Sequence, residues 1–141
     1  MPENYLFEYA VIRVVPRVER EEFLNVGIIL YCRDQSFLQT KFGLNENRLQ
    51  AFCALVNIDE LREHLLALEK ISSGEKDSGP IGRLDMASRF RWLTAKRSTI
   101  VQTSQVHPGL CADAQETLDR TSLGALAPGQ RIEQAGLAGI G

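Results

Sequence analysis

Val26-Gly27-Ile28-Ile29-Leu30-Tyr31-Cys32 is an uninterrupted apolar run with no charged residue. It is too short to cross a bilayer and has the length of a strand, and its β-branched and aromatic content fits a central strand buried on both faces. The remaining segments are read by what they can supply around it. Leu6 to Val15 is a second strand, rich in β-branched and aromatic residues, interrupted by Glu8 and Arg13 and stopped by Pro16. Arg33-Asp34-Gln35-Ser36 has turn chemistry, so the more polar Phe37 to Phe42 returns as the partner strand of a hairpin. Ser98 to Thr103 is a late strand. Glu19 to Leu24 is read as one or two helical turns carrying Phe23 and Leu24 inward.

The helices follow from periodicity and caps. Gly43 breaks the third strand, and Asn45 caps a helix from Glu46 to about Leu55 with Leu49, Phe52 and Cys53 on one face. Asn57 followed by Glu60 resembles a capping pair, and Ile58, Leu61, Leu65, Leu68 and Ile71 recur at three- and four-residue steps. Ser72 to Gly82 is read as a flexible loop. Asp85 caps a helix to about Thr94, with Met86, Phe90 and Leu93 inward and Arg89 at the edge. A loop at Val106 to Leu110 leads into a final helix near Ala112 to Arg120. The expected architecture is α+β, a mainly antiparallel sheet of about four strands with helices packed on one face. The alternative arrangement pairs the late strand parallel to the first. One domain is expected over 1–122, and 123–141 as a disordered tail, because nine of the eighteen residues from Gly124 are Gly or Ala and none is aromatic.

Composition narrows the classes of function. The chain has 141 residues, 44% hydrophobic and 24% charged, with a formal net charge of -2, as an ordinary globular domain would. A chain of this length sustains a core without metals or disulfides, and no cofactor is expected. No apolar run reaches the ~18–20 residues of a membrane span, so no membrane partner and a cytoplasmic location are expected. Three cysteines without a close pair argue against a disulfide framework and a zinc site. Cys32 and Cys53 read as core residues. Cys111, near a loop and four residues after His107, is read as an idle thiol rather than a nucleophile.

Tyr9 to Leu30, Gly79-Pro80-Ile81-Gly82-Arg83, Phe90 to Gln102, and Val106-His107-Pro108-Gly109-Leu110-Cys111 occur in the order and form of blocks in a bacterial family. The chain resembles the family known as domain of unknown function 3037 over about residues 5 to 120. The resemblance implies no reaction. Members are often encoded beside kinase-like proteins similar to the toxin of a persistence-related toxin–antitoxin system, which implies a kinase-like protein partner. After Arg120 the chain departs from the family's apolar helix into Thr121-Ser122-Leu123-Gly124.

The polar residues that the resemblance draws together, Arg13, Arg17, Glu22, Asn25, Arg97, Ser98, Thr99, Gln102 and His107, have the chemistry of an anion site. Arginine forks bind phosphate, and loop hydroxyls and amides complete a cradle. The competing structural roles are an Arg13 pair with Glu8 or Glu22, Asn25 closing a turn, and Ser98 and Thr99 opening a strand. His107 could act as an acid or base but is read as satisfying a loop carbonyl; His64, at the edge of the second helix, is read as structural. Arg83, Arg89, Arg91, Lys96 and Arg97 against Asp85 alone make a basic stretch that could meet phosphate or pair with the acidic Glu19 to Glu22 segment. Asp34 with Gln39-Thr40-Lys41 is too degenerate a pattern to read as a nuclease centre. Phe90, Arg91 and Trp92 cannot share one helix face, so core packing is preferred to base stacking, and nucleic acid is not favoured as a partner. The leading expectation is a non-catalytic binding or regulatory module acting with a protein partner. The alternative is an enzyme or sensor for a phosphate-bearing ligand.

Overall fold

The computed structural model describes residues 5–15, 23–52, 56–97 and 99–126. Strand β1 spans Tyr5–Val14, β2 Leu24–Cys32 and β3 Phe37–Phe42; a 3-10 turn over Arg33–Gln35 links the last two. Helices α1 (Glu46–Phe52), α2 (Ile58–Ser73), the short α3 (Gly79–Gly82) and α4 (Met86–Leu93) follow. Strands β4 (Val101–Thr103) and β5 (His107–Cys111) and helix α5 (Ala114–Leu126) complete the described order. The expected caps are present: Asn45 accepts from Arg48 N–H, Asn57 from Glu60 N–H and Asp85 from Ser88 N–H. Asp85 carries its carboxyl below the usual range because Ser88 donates to it through both hydroxyl and backbone.

The fold is α+β with one antiparallel sheet in the order β3-β2-β1-β4, and β5 also pairs with β1. The sheet thus has five strands where about four were expected. The late strand β4 runs antiparallel to β1, with Ile12, Arg13 and Val14 opposite Thr103, Gln102 and Val101. That excludes the parallel alternative. Strand β5 continues along the same edge, Tyr5 to Tyr9 opposite Cys111 to His107. The two short strands meet at Ser104, whose N–H donates to the Val11 carbonyl at 2.8 Å and whose hydroxyl accepts from Val11 N–H at 2.9 Å.

Two apolar layers sandwich the sheet. Ile12, Val14, Val26, Ile29, Tyr31 and Leu38 meet Leu49, Leu61, Leu65, Leu68, Ile71, Phe90 and Leu93 from α1, α2 and α4. On the opposite face Phe7, Tyr9, Ile28, Leu30 and Cys32 meet Ala114 and Leu118 of α5. Helices therefore cover both faces, not one. A bulge between Ile12 and Arg13 shifts the register, so Ile12 faces Gly27 while Arg13 faces Asn25. A Cβ on Gly27 would lie 2.7 Å from the Lys41 carbonyl and 2.8 Å from Phe42 Cβ, so only glycine fits there.

Four local expectations are corrected. Val106 to Leu110 is not a loop: β5 begins at His107, because Phe7 packs its ring where a Gly109 side chain would be, 2.5 Å from that position. Cys111 is consequently buried at 3% exposure instead of lying at a surface. The last helix runs to Leu126 instead of ending at Arg120, because Thr117 and Thr121 turn their hydroxyls back to the Asp113 and Thr117 carbonyls and pack as small apolar surfaces. The segment Ser72 to Gly82 is partly helical: α2 closes on Gly74 at φ 71, and α3 follows. The turns expected before Leu24 fall at residues 16–22, outside the described residues, as do Cys53 and the tail from 127; Leu24 itself opens β2.

Ser104→Ala strips the Val11 N–H of its buried partner, and leaving such a donor unpaired costs about 1–3 kcal/mol. Chemical denaturation should show the midpoint falling by that equivalent with an unchanged slope; an unchanged midpoint would mean that the β4–β5 junction does not depend on the hydroxyl.

Candidate functional site

Strand pairing assembles part of the expected anion cradle and disperses the rest. Arg13 is flanked by Asn25 on β2 and Gln102 on β4, so the three form one row across the sheet. Arg13 alternates with Ile12 and Val14 and therefore faces the α5 side, with its guanidinium carbon 4.2 Å from the Phe23 ring centroid. Glu8, five residues away on β1, points to the other face, so it is not the partner of Arg13. Asn25 sits within β2 rather than in a turn; it is 4% exposed, and among the described residues neither its amide nitrogen nor its amide oxygen has a hydrogen-bond partner. Gln102 donates to the Thr99 carbonyl at 2.9 Å, and Thr99 to the Val101 carbonyl at 2.6 Å. Both side chains shape the entry to β4.

Arg97 is elsewhere and committed. Its guanidinium donates to the Leu93 and Ala95 carbonyls at 3.2 and 3.4 Å and to the Trp92 carbonyl, and it stacks 4.4 Å from the Trp92 ring centroid. It thereby closes the C-terminus of α4, where cations meet unpaired carbonyls and the negative end of the helix dipole. Arg89 does the same between helices, donating to the Leu84 and Ser72 carbonyls. Two of the five cations in the basic stretch are thus structural. His107 lies opposite Tyr9, their rings 5.4 Å apart, and Tyr9 is four residue steps along the strand from Arg13, about 13 Å. Arg17, Glu22 and Ser98 lie outside the described residues.

Lys41 is not poised for metal chemistry. Its ammonium donates to Asp119 of α5 at 2.9 Å and holds that carboxyl below its usual range, while Asp34 lies at the other end of the β2–β3 hairpin. Among the described residues no three His, Cys, Asp or Glu side chains are grouped to hold a metal. No helix among them is long and apolar enough to cross a membrane.

A feature of another kind lies where the helices stop. Leu6 pairs directly with Leu110, and Glu8 with Pro108, on the face that α1, α2 and α4 cover further along β1. Here none of the described helices covers it: Leu6 is 55% exposed, Leu110 66% and Val106 38%, and Pro108 is exposed. Val106, Pro108 and Leu110 alternate along the edge and, with Leu6, make an apolar patch on an open sheet face. The Pro-Gly pair hid this alternation in the sequence by imitating a turn.

The sequence model of the family described as "Protein of unknown function (DUF3037)" matches residues 9–122. The chain belongs to that family. The match takes in β1 through most of α5, including the Arg13–Asn25–Gln102 row and the Leu110 patch. No curated protein and no solved structure matches the chain.

Replacing Asn25 by leucine removes two unpartnered buried polar atoms at similar volume, so the thermal midpoint should rise, by about 1 kcal/mol equivalent. A fall would show that the amide holds a bound molecule in solution.

His64 supplies a pH test. Desolvation, and then the charge of Arg97, pull its pKa below 6.5, so the folded state disfavours the imidazolium. Stability is therefore full above the unfolded value and declines as pH drops from that value through the lower folded one. Urea midpoints measured across this window should fall for the parent and stay flatter for His64→Gln; equal slopes would remove His64 from the account.

Proposed function

We propose that this chain is a non-catalytic binding module that acts with a protein partner in the bacterial cytoplasm. The observation that supports this reading is the apolar patch of Leu6, Val106, Pro108 and Leu110, presented on a sheet end that the described helices leave open. Exposed leucines paired across rigid strands are preorganised, so covering them orders little additional chain and removes apolar area from water. The kinase-like character of the partner comes from the family resemblance alone. The anion reading has a narrower basis, the buried, unpartnered amide of Asn25 beside Arg13, since Arg97 is occupied and His107 is distant.

Co-expression with a kinase-like protein encoded beside the gene, followed by size-exclusion chromatography with light scattering, tests the reading. A complex of fixed stoichiometry is expected, and Leu110→Asp should weaken it at least tenfold, about 1.4 kcal/mol, without lowering the chain's own melting temperature. A complex indifferent to Leu110→Asp, or no complex at micromolar concentrations, would defeat the reading. So would a parent chain that dimerises through this patch.

A further inference from the structure

The open sheet end holds a charge beside its apolar residues. Glu8 lies on β1 between Tyr31 of β2 and Pro108 of β5. Along its own strand the residues on the same face are the exposed Leu6 before it and the fully buried Ala10 after it. Its side chain therefore stands half-buried at the inner border of the patch, among apolar and aromatic neighbours. Among the described residues no cation pairs with its carboxylate and no group donates a hydrogen bond to it. In the free chain water solvates that carboxylate, and any surface that covers the patch strips the water away. A covering surface with only apolar groups would leave the charge buried and unpaired, which opposes binding. One that brings a cation to the same point forms a charge-assisted hydrogen bond where the dielectric is low. Self-association across a two-fold axis would instead put two Glu8 carboxylates into one apolar interface, and the patch residues supply no cation to separate them. An anionic lipid surface has the same sign as Glu8.

We propose that this face receives an amphipathic helix of a protein partner, whose apolar stripe covers Leu6 and Leu110 and whose border carries a lysine or arginine that pairs with Glu8. The inference rests on the binding-module reading and adds the chemistry of the segment that is recognised. A helix fits better than an added strand, because Leu6 and Leu110 form a cross-strand pair that projects from the face, and Pro108 takes a donor out of the β5 edge. Leu6 and Glu8 stand two residues apart along β1, about 7 Å, which is close to the rise of one helical turn. An apolar side chain and a cation four residues apart on the partner helix therefore meet Leu6 and Glu8 together.

The full chain is titrated by calorimetry with the kinase-like protein encoded beside the gene, at low and high sodium chloride, with Glu8→Gln, Glu8→Lys and Leu110→Asp as variants. Glu8 holds no other described group, so both Glu8 variants should melt as the parent does. Glu8→Gln should weaken the complex about tenfold and Glu8→Lys about a hundredfold. Salt should weaken the parent's binding more than that of Glu8→Gln. If Leu110→Asp disrupts the complex while both Glu8 variants bind as the parent, the cation is absent and this inference falls with the binding-module reading intact. If neither position matters, or no complex forms, that reading falls and the inference with it. Sedimentation of the chain alone and flotation with phosphatidylglycerol vesicles test the other occupants. A dimer that Leu110→Asp dissolves, or vesicle binding that it abolishes, would overturn the proposal.

Discussion

Val11, at the middle of β1, has both of its backbone polar groups bound to a single residue, Ser104, and that reciprocal pair holds the sheet's edge together. A buried strand must satisfy its N–H and C=O groups on both sides, or lose free energy comparable to the hydrogen bonds it forgoes. On one side β2 does this for nearly the whole length of β1. On the other side neither β4 nor β5 is long enough, and where one ends and the other begins the Ser104 hydroxyl stands in for a backbone group and donates its own hydrogen bond to the Gln105 carbonyl. With both edges of β1 taken, its alternation can send Phe7 and Tyr9 under α5 and Ile12 and Val14 under α2 and α4. Two separate apolar layers then hang on one strand.

What was legible in the sequence was what local chemistry decides. The β-branched runs marked β1 and β2, and Asn45, Asn57 and Asp85 each cap the helix that their position announced. What was missed depends on residues distant in sequence. Pro108 and Gly109 have strong turn propensity in isolation, and only the Phe7 ring, a hundred residues away, makes a glycine the residue that fits in a strand there. The polarity of Thr117, Thr121 and Ser122 disguised the inner face of α5, because hydroxyls that bond back to their own helix leave mainly methyl and methylene surface to the sheet.

The candidate anion site divides along the same line. Arg13, Asn25 and Gln102 are far apart in sequence yet share a row, because the bulge at Gly27 shifts the β2 register by one residue and turns Asn25 to the face of Arg13. Without the bulge Asn25 would point toward α2 and be exchanged for a neighbour on the strand. Arg97 looked equivalent to Arg13 in a residue list but stands at the end of α4, where unpaired carbonyls claim its donors before any anion could. Residue type pointed to the same chemistry in both cases; the secondary-structure context decided which arginine was already spent.

The same context bears on how the open patch would be used. An exposed sheet edge invites another strand, and apolar residues beside it would ordinarily strengthen that invitation. Pro108, however, has no N–H to donate, and it is the second residue of the five-residue β5, so the edge cannot offer an unbroken ladder of donors. Leu6 and Leu110, by contrast, project from the face rather than the edge and are held in a fixed cross-strand pair. On the binding-module reading, the partner therefore meets this protein with an apolar surface laid on the sheet, such as one face of an amphipathic helix, rather than with a strand added at its margin. Recognition of that kind is set by side-chain packing, which explains how a patch of four small and aliphatic residues could be selective without a catalytic or charged group at its centre.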